Sequence, residues 1–245
     1  MQKAARQQEI ADFLGKKTYS SVQEICRMIY ASPATVRRDL REMERAGLVR
    51  LFHGGVMMAG GDRQEIPLSV REQDGKAAKQ LIARTAAELI PSGSSIMLDA
   101  SSTAMYMANY LDPDKGITVF TNGLRTAMAL CDRRIHTYCL GGEISPLSMV
   151  TTGSLTEAGL NMIHVDMLFF SSQAMDRQGL ISDNSERESQ LRREMLRHAR
   201  RSYFLCHSEK VGRQMLYAVA KAEEMDGVIS DGDLSDIPGI RIMGQ

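Results

Sequence analysis

The sequence predicts an α/β protein in two parts: a small helical unit that ends in a β-hairpin, and a larger domain with a mostly parallel sheet and helices on both faces. Three observations predict this arrangement. Three helical patterns, two of them with N-cap residues, precede an alternating segment that contains a Gly-Gly pair. From Ser95 to Ser230, apolar runs of strand length alternate with helical patterns, as in a parallel sheet. Residues 59–67, between the two parts, have the glycine-rich composition of a linker.

The length, hydrophobic content and charge distribution of the chain favour two domains. The 245-residue chain is 43% hydrophobic, which is enough for a substantial core, and its length favours two modest domains. We expect them at residues 1–58 and 68–245, with the linker at 59–67. The formal net charge is zero, but residues 1–60 contain ten basic and six acidic side chains, a difference of +4, which leaves −4 for the rest. A basic head on a mildly acidic body favours a nucleic-acid-binding module joined to a second domain.

The cysteines and the apolar segments indicate a cytoplasmic protein. No CxxC pair is present, and the cysteines stand in apolar contexts, so we expect buried free thiols and no metal site. The longest apolar run, residues 165–170, is too short to span a membrane, and the polar start is unlike a signal peptide. We expect no cofactor. The four cysteines are Cys26, Cys131, Cys139 and Cys206.

Three helices are predicted before residue 46. Residues 2–14 have apolar side chains at helical spacing, and Ser21 is in position to cap a second helix that runs to about Ile29. The third helix has the sharpest start. Ser32 can cap it, and Pro33 at its first position loses no hydrogen bond there and has φ already set.

The third helix has an apolar side and a basic side. Val36, Leu40 and Met43 fall on the side that should pack inward. The arginines at 37, 38 and 41 and Thr35 fall on the other. The planar fork of arginine pairs bidentately with phosphate or with guanine edges, although an arginine-rich face can also be merely solvated.

Residues 48–57 alternate around Gly54-Gly55, which predicts a β-hairpin. Three helices followed by a hairpin make a winged helix-turn-helix, whose third helix enters the DNA major groove while the wing lies along the backbone. The expected partner is double-stranded operator DNA, and paired half-sites favour a homodimer or homotetramer. The predicted DNA-binding residues are Ser32, Pro33, Thr35, Arg37, Arg38, Arg41, Arg50 and His53.

One long helix is predicted from Leu68 to Ile90, ended by residues 91–93. It follows the linker directly, so we expect it to transmit a change in the larger domain to the head. Its expected inward side chains are Leu81, Ile82, Ala86, Leu89 and Ile90.

Beyond this helix the predicted strands and helices alternate, and ligands bind at the carboxyl ends of the strands in such sheets. Hydroxyls and glycines follow these strands. Asp99 and three hydroxyl residues stand where a helix begins, which suits an anion, although plain N-capping is the alternative. Gly141-Gly142 permits close approach to a ligand or serves a turn. The predicted strands are Ser95–Leu98, Ile117–Phe120, Ile135–Leu140, Val165–Phe170, Ser202–Cys206 and Gly227–Ser230; the helices are Thr103–Leu111, Leu124–Leu130, Leu155–Ile163 and Glu186–Arg200.

A family resemblance rests on three motifs, Thr-Val-Arg-Arg-Asp-Leu at residues 35–40, Glu-Arg-Ala-Gly-Leu-Val-Arg at 44–50 and His-Gly-Gly at 53–55. They resemble the N-terminal signature of DeoR-type bacterial repressors of sugar catabolism, and nearly all of the remaining chain is similar to that family's effector domain. The resemblance implies a transcriptional repressor that a phosphorylated sugar or a close relative releases from DNA. It also implies that the larger domain has the ribose-phosphate isomerase and CoA-transferase type of fold.

The same resemblance assigns effector residues. Residues 99–103 correspond to the family's Asp-(Ser/Ile)-Gly-Thr-Thr, in the Asp-Ala-Ser-Ser-Thr form of its fucose-operon branch, and Lys210 corresponds to the lysine that would hold the phosphate. His207 replaces a family aspartate. Glu188 and Arg192 match a helical pair for which a surface i,i+4 ion pair is the simpler account. The predicted effector-binding residues are Asp99, Ser101, Ser102, Thr103, Thr121, Asn122, Gly141, Gly142, Gly153, Asp176 and Lys210.

Two alternatives remain open at this point. The larger domain could be a working sugar-phosphate isomerase or acyl-CoA-type enzyme, for which Asp99 and Asp176 would supply carboxylates. Against it, fold does not fix function, and no Lys-Gly-Gly-Gly or Asp-Gly-Ala-Asp run is present. The larger domain could also serve oligomerisation alone. The sequence favours a regulator and not an enzyme.

Overall fold

A computed structural model of the protein describes residues 3–17, 19–52, 55–59 and 66–244. The chain divides into two compact units, Met1–Asp74 and Gly75–Gln245. The division lies beyond the expected linker, most of which, residues 60–65, is outside the described residues together with His53 and Gly54.

The first unit is three helices and a small antiparallel sheet. Ser21 and Ser32 cap the second and third helices as predicted, since each side chain accepts a hydrogen bond from the backbone N–H three residues later. The sheet order is β1-β3-β2, and the turn of its hairpin falls outside the described residues. The bounds are α1 Lys3–Leu14, β1 Ser20–Ser21, α2 Val22–Ile29, α3 Pro33–Arg45, β2 Val49–Phe52 and β3 Gly55–Met58.

One core holds this unit together. It contains Ile10 and Leu14 from α1 and Ile25 from α2, all at most 1% exposed. The predicted inward residues of α3 complete it: Val36, Leu40 and Met43. These contacts confirm a winged helix-turn-helix in which the opposite side of α3 is left to solvent.

The single helix predicted from Leu68 to Ile90 is wrong, because the structure has two helices there. They are α4 Leu68–Gln73 and α5 Lys76–Glu88. Gly75, between them, has φ of +59°, a left-handed conformation that stops the helix and that glycine adopts readily. Leu81 is also 53% exposed, so it does not point inward, whereas Ile82, Ala86 and Ile90 are buried.

The second unit is built on six parallel strands in the order β14-β12-β9-β4-β5-β6. The chain runs outward from β4 to β6 and then returns to the other side of β4, so β4 and β9 flank a topological switch point, where such sheets bind ligands. The strands are β4 Ser95–Leu98, β5 Thr118–Thr121, β6 His136–Cys139, β9 Val165–Phe170, β12 Ala199–Cys206 and β14 Gly227–Ser230.

Helices cover both faces of this sheet, as predicted. Side chains alternate along each strand: Ile96 and Leu98 pack with α5 to α7 on one face, and Met97 packs with α8 and α9 on the other. Three helices end earlier than predicted: α6 at Met107, α8 at Leu160 and α9 at Arg197. The helices are α6 Ser102–Met107, α7 Leu124–Asp132, α8 Ser154–Leu160 and α9 Glu186–Arg197.

In the described part of the second unit, the structure also has five short strands that the sequence does not predict. They form a hairpin of β7 with β8 and a three-stranded sheet in the order β10-β11-β13. Among the described residues no helix is both long and apolar enough to cross a bilayer. The cysteines are free, but Cys131 and Cys139 are exposed, which corrects the expectation that all four are buried. The strands are β7 Glu143–Ser145, β8 Val150–Thr152, β10 Ala174–Met175, β11 Leu180–Asp183 and β13 Tyr217–Lys221.

Candidate DNA-binding surface and ligand crevice

The outer face of α3 carries exposed arginines. Arg37, Arg38, Arg41 and Arg45 are spaced by three and four residues and lie on one side of the helix. Within the described residues, none of these four guanidinium groups has a hydrogen-bonded or ion-paired partner. Their charge is therefore available to a negatively charged partner such as DNA phosphate.

The acidic side chains of α3 are engaged elsewhere. Asp39 is fully buried and forms an ion pair with Arg6 of α1, whose Nη2 donates to it at 3.0 Å. Glu42 accepts from the Lys3 ammonium at 2.5 Å, and Glu44 accepts from the backbone N–H of Leu51 at 2.9 Å. The acids thus fasten α3 to α1 and to the wing without neutralising the arginine face.

The hairpin adds a basic residue and one wall of a groove. Arg50 is exposed, and its guanidinium carbon lies 5.1 Å from the centre of the Phe52 ring. His53 lies outside the described residues. The open groove between α2, α3 and the wing is lined by residues that include Val22, Gln23, Arg37, Arg41, Leu51 and Phe52.

The start of α3 provides a stability prediction. The Ser32 hydroxyl oxygen accepts from the backbone N–H of Thr35 at 3.3 Å, and Pro33 occupies the first turn. We expect Ser32→Ala to lower the free energy of unfolding of the first unit by about 1 kcal/mol, and Ser32→Gly by only a few tenths. Urea denaturation followed by circular dichroism measures both. A loss of less than about 0.3 kcal/mol in Ser32→Ala would mean that the cap contributes almost nothing.

The end of β4 bears the first cluster of predicted effector residues. Asp99 and Ser101 to Thr103 are all buried. The Ser101 hydroxyl caps α6 by accepting from the N–H of Ala104 at 3.1 Å, and one Asp99 carboxylate oxygen accepts from the Ser101 N–H at 3.2 Å. Plain capping therefore accounts for Ser101. Thr103 Oγ1 is buried and has no hydrogen-bond partner among the residues described.

Arg192 joins the ends of three elements. Its Nε donates to Asp99, its Nη1 to Asp183 at the end of β11, and its Nη2 to Glu188, each at 3.0 Å. The side chain is 6% exposed, so the expected surface pair of Glu188 and Arg192 is wrong: the pair exists but is buried. Burial alone would lower the Arg192 pKa, but Asp183, Asp99 and Glu188 raise it above its ordinary value. The guanidinium stays charged.

The end of β5 contributes an unsatisfied acceptor. Asn122 is 3% exposed, and its Nδ2 donates to the carbonyl of Thr151 at 3.2 Å. Its Oδ1 has no partner among the residues that the structure covers. Asn122 shares a small cavity with Asp99, Glu188 and Arg192. A buried acceptor without a donor costs free energy, and a ligand hydroxyl would satisfy it. Thr121 is buried too, and its hydroxyl accepts from the N–H of Gly123.

The three predicted glycines lie beside α8 and the β7–β8 hairpin. Gly142 is needed for packing, because a Cβ there would lie 2.1 Å from Thr156 Oγ1. Gly153 has φ of +91°, and a Cβ on it would meet nothing within 4 Å. Gly141 is likewise open, and its carbonyl accepts from the Thr156 hydroxyl at 2.6 Å. Gly141 and Gly153 therefore leave backbone exposed to a possible ligand, whereas Gly142 does not.

Lys210 lies at the switch point. It ends a short 3-10 helix, Ser208–Lys210, that follows β12, and its Nζ donates to Ser171 Oγ at 2.8 Å. Ser171 directly follows β9 and in turn donates to the carbonyl of Leu205 at 2.6 Å. The lysine is thus held at the carboxyl end of the sheet, as the sequence predicted.

Asp176 has a different position. It follows β10, outside the six-stranded sheet, and its Oδ1 accepts from the N–H groups of Gln178 and Leu180 at 2.9 and 2.8 Å. These bonds close the turn into β11. Its role in effector binding stays a prediction.

His207 gives the unit a pH dependence. It is 7% exposed, and burial lowers the pKa of its imidazole, an effect that nearby Asp231 and Glu209 oppose. The His207 of the unfolded chain therefore binds a proton more readily than that of the folded chain. The contribution of neutral His207 to the free energy of unfolding is complete above the ordinary histidine pKa and is lost as the pH falls below about 6.5. We expect the melting temperature to fall between pH 7 and pH 5, and to fall less in His207→Gln. Parallel curves for the two proteins would contradict this.

Comparison with known proteins decides the family. Residues 6–60 match the DeoR-like helix-turn-helix domain, and residues 75–232 match the DeoR C terminal sensor domain. The chain belongs to the DeoR family. It is a DNA-binding transcriptional regulator of that family, which confirms the resemblance seen in the motifs of α3 and the wing.

Relatives of this DeoR-family chain align along nearly its whole length. It is 31% identical over 232 residues to the uncharacterized HTH-type transcriptional regulator YulB of Bacillus subtilis (strain 168), covering 94% of this chain and 90% of that protein. It is also 31% identical to the L-fucose operon activators of Haemophilus influenzae and Escherichia coli K12, covering 94% of this chain and 93% and 95% of theirs. A solved D-ribose-5-phosphate isomerase is similar to 56% of this chain, and the match covers 54% of that one, with 13% identity and a TM-score of 0.42.

Three residues that contact the predicted site residues are not themselves among them: Arg192, Asp183 and Ser171. The helical spacing predicts a surface position for Arg192, and the sequence assigns no role to Asp183 or Ser171. The hydroxyl pair Ser171-Ser172 directly after an apolar strand was the available signal for the last of these. For Asp183 no such signal exists, because β11 belongs to a sheet that the apolar pattern does not mark.

Proposed function

We propose that the protein represses a carbohydrate-utilisation operon, and that a phosphorylated sugar in the second unit controls its affinity for operator DNA. The observation that carries the DNA half is the face of α3, on which four exposed arginines have no partner among the described residues while the helix's acids are engaged. In a winged helix-turn-helix this face enters the major groove.

The ligand half of the proposal rests on the carboxyl ends of β4, β5, β9 and β12. Lys210 supplies a cation for a phosphate, and Asn122 Oδ1 is a buried acceptor that a sugar hydroxyl would satisfy. Around Arg192, the three carboxylates of Asp99, Asp183 and Glu188 outnumber the one guanidinium, so a phosphate would be repelled there. We therefore assign the neutral hydroxyls of the sugar to the cavity beside Arg192 and its phosphate to Lys210.

The test is operator affinity with and without ligand. Full-length protein is titrated by fluorescence anisotropy onto DNA from upstream of its operon, alone and with ribose 5-phosphate, glycerol 3-phosphate or fuculose 1-phosphate. We expect one of them to weaken binding by about tenfold or more. Lys210→Met should abolish the response and Lys221→Met, at an exposed lysine, should keep it. A Kd that no ligand changes in the wild type would overturn the proposal.

Activation is the second candidate, because two relatives are named L-fucose operon activators. Repression and activation predict opposite changes in operon expression when the gene is deleted. Deleting the gene should raise expression of the controlled operon if the protein represses it, and lower expression if the protein activates it. A reporter fused to that promoter measures the difference.

The enzyme alternative finds little support in the crevice. Burial raises the pKa of the Cys206 thiol, at the end of β12, to about 12, so this cysteine is not a thiolate nucleophile at neutral pH. The Asp99 carboxylate is bonded to Arg192. Turnover of ribose or fuculose phosphates by the protein would revive this alternative.

A further inference from the structure

The ring of His207 lies directly on the backbone of Gly75. A Cβ added to Gly75 would be 2.5 Å from Cε1 of His207 and 3.0 and 3.1 Å from its two ring nitrogens. Such distances leave no room for any side chain, so the imidazole packs against the main chain itself. Gly75 is the residue at which the predicted long helix breaks, and its carbonyl accepts from Lys79 in the first turn of α5.

His207 is also tied to Lys210 through a short segment. It directly follows β12 and precedes the 3-10 helix that ends at Lys210, whose backbone N–H donates to the His207 carbonyl at 2.9 Å. Asp231, after β14, fixes the same segment, since its carboxylate accepts from the N–H and hydroxyl of Ser208 at 2.8 and 3.0 Å. One short segment, held by these hydrogen bonds, therefore carries both the ring on Gly75 and the ammonium of Lys210.

We propose that His207 is the positioning residue that transmits ligand occupancy to Gly75, and through Gly75 to the chain that leads into the DNA-binding unit. This inference rests on the proposed function. A phosphate that draws Lys210 toward it displaces the segment from His207 to Lys210. Because close-packed groups move together, the ring displaces Gly75. The backbone at Gly75 sets the junction between α4 and α5, so the displacement changes how the chain enters α5.

The proposed contact depends on the ring filling the space against Gly75 and not on its nitrogens, so variants with and without a ring test it. His207→Ala removes the ring, whereas His207→Phe keeps a planar ring against Gly75 and removes only the nitrogens. Neither substitution changes Lys210. Ligand binding and its effect on DNA are measured separately: calorimetry with the active phosphorylated sugar gives the ligand Kd, and anisotropy gives the operator Kd with and without that sugar.

In the wild type we expect the sugar to change the operator Kd by about tenfold or more, and in His207→Ala by less than about threefold, with the ligand Kd kept within about threefold. His207→Phe should respond as the wild type does. If His207→Ala does not fold, His207→Gln, which also lacks the ring, takes its place with the same expectation.

Three outcomes separate the claims. If no phosphorylated sugar changes the operator Kd of the wild type, the proposed function fails and this inference fails with it. If the wild type responds and the ring-less variant responds equally, the inference alone is overturned. If His207→Phe loses the response as completely as His207→Ala, a shape-based relay through Gly75 is also overturned.

Discussion

Replacing Arg37 and Arg38 together by alanine is expected to weaken operator binding by about a hundredfold or more. Each arginine that contacts a phosphate or a base edge contributes about 1 to 3 kcal/mol, and these two stand on the exposed face of α3 without partners in the described part of the chain. The fold should not suffer, because Val36 and Leu40, which hold α3 in the core, remain. Anisotropy titration with operator DNA measures the loss, and the melting temperature checks the fold.

The matched control removes the same charge elsewhere. Arg84→Ala with Arg133→Ala takes two exposed arginines from the second unit and should change the operator Kd by less than about twofold, since neither belongs to the DNA-binding unit. If the control pair weakened binding as much as the pair on α3, binding would depend on net charge and not on this helix.

Replacing Arg192 by alanine is expected to destabilise the protein by about 3 to 5 kcal/mol. The guanidinium is the group that Asp99, Asp183 and Glu188 share, and removing one partner of a buried ion cluster leaves uncompensated charge in a low dielectric. A loss of this size is a large fraction of the stability of an ordinary domain. Urea denaturation at pH 7 measures it.

The control for this variant lies on the same helix. Arg197→Ala removes an arginine whose side chain is 70% exposed and whose ion pair is with Glu194, three residues away, so we expect a loss within about 0.5 kcal/mol. Should Arg192→Ala cost less than about 1 kcal/mol, the cluster would be solvated and would not organise the crevice.

Local signals determined how much of the fold the sequence could predict. Ser21 and Ser32 fixed two helix starts because N-capping depends on residues within one turn. Strands β4 and β9 of the central sheet were recognised because they are largely buried on both faces and read as apolar runs. The strands of the small sheet and of the β7–β8 hairpin are two to five residues long and lack such runs. Neither segment length nor hydrophobic periodicity could therefore identify them in the sequence.

The parts that sequence reasoning missed depend on contacts between distant residues. Gly75 separates α4 from α5, and a ring 132 positions later in the chain packs on it; no pattern near residue 75 indicates that contact. The Glu188 and Arg192 pair has the spacing of a surface ion pair, and only the convergence of β4 and β11 on it makes it buried. For the predicted site, the fold brings Asp99, Asn122 and Lys210 to the strand ends, whereas Asp176 closes a turn.

The most direct test of the account is the salt dependence of operator binding by the full-length protein. If the four arginines of α3 each neutralise a phosphate, the logarithm of the association constant should fall with the logarithm of salt concentration with a slope of about −3.6 or steeper, at about −0.9 per contact. A DNase footprint over the operator should accompany it. A flat salt dependence with no footprint would contradict the claim that this helix grips DNA.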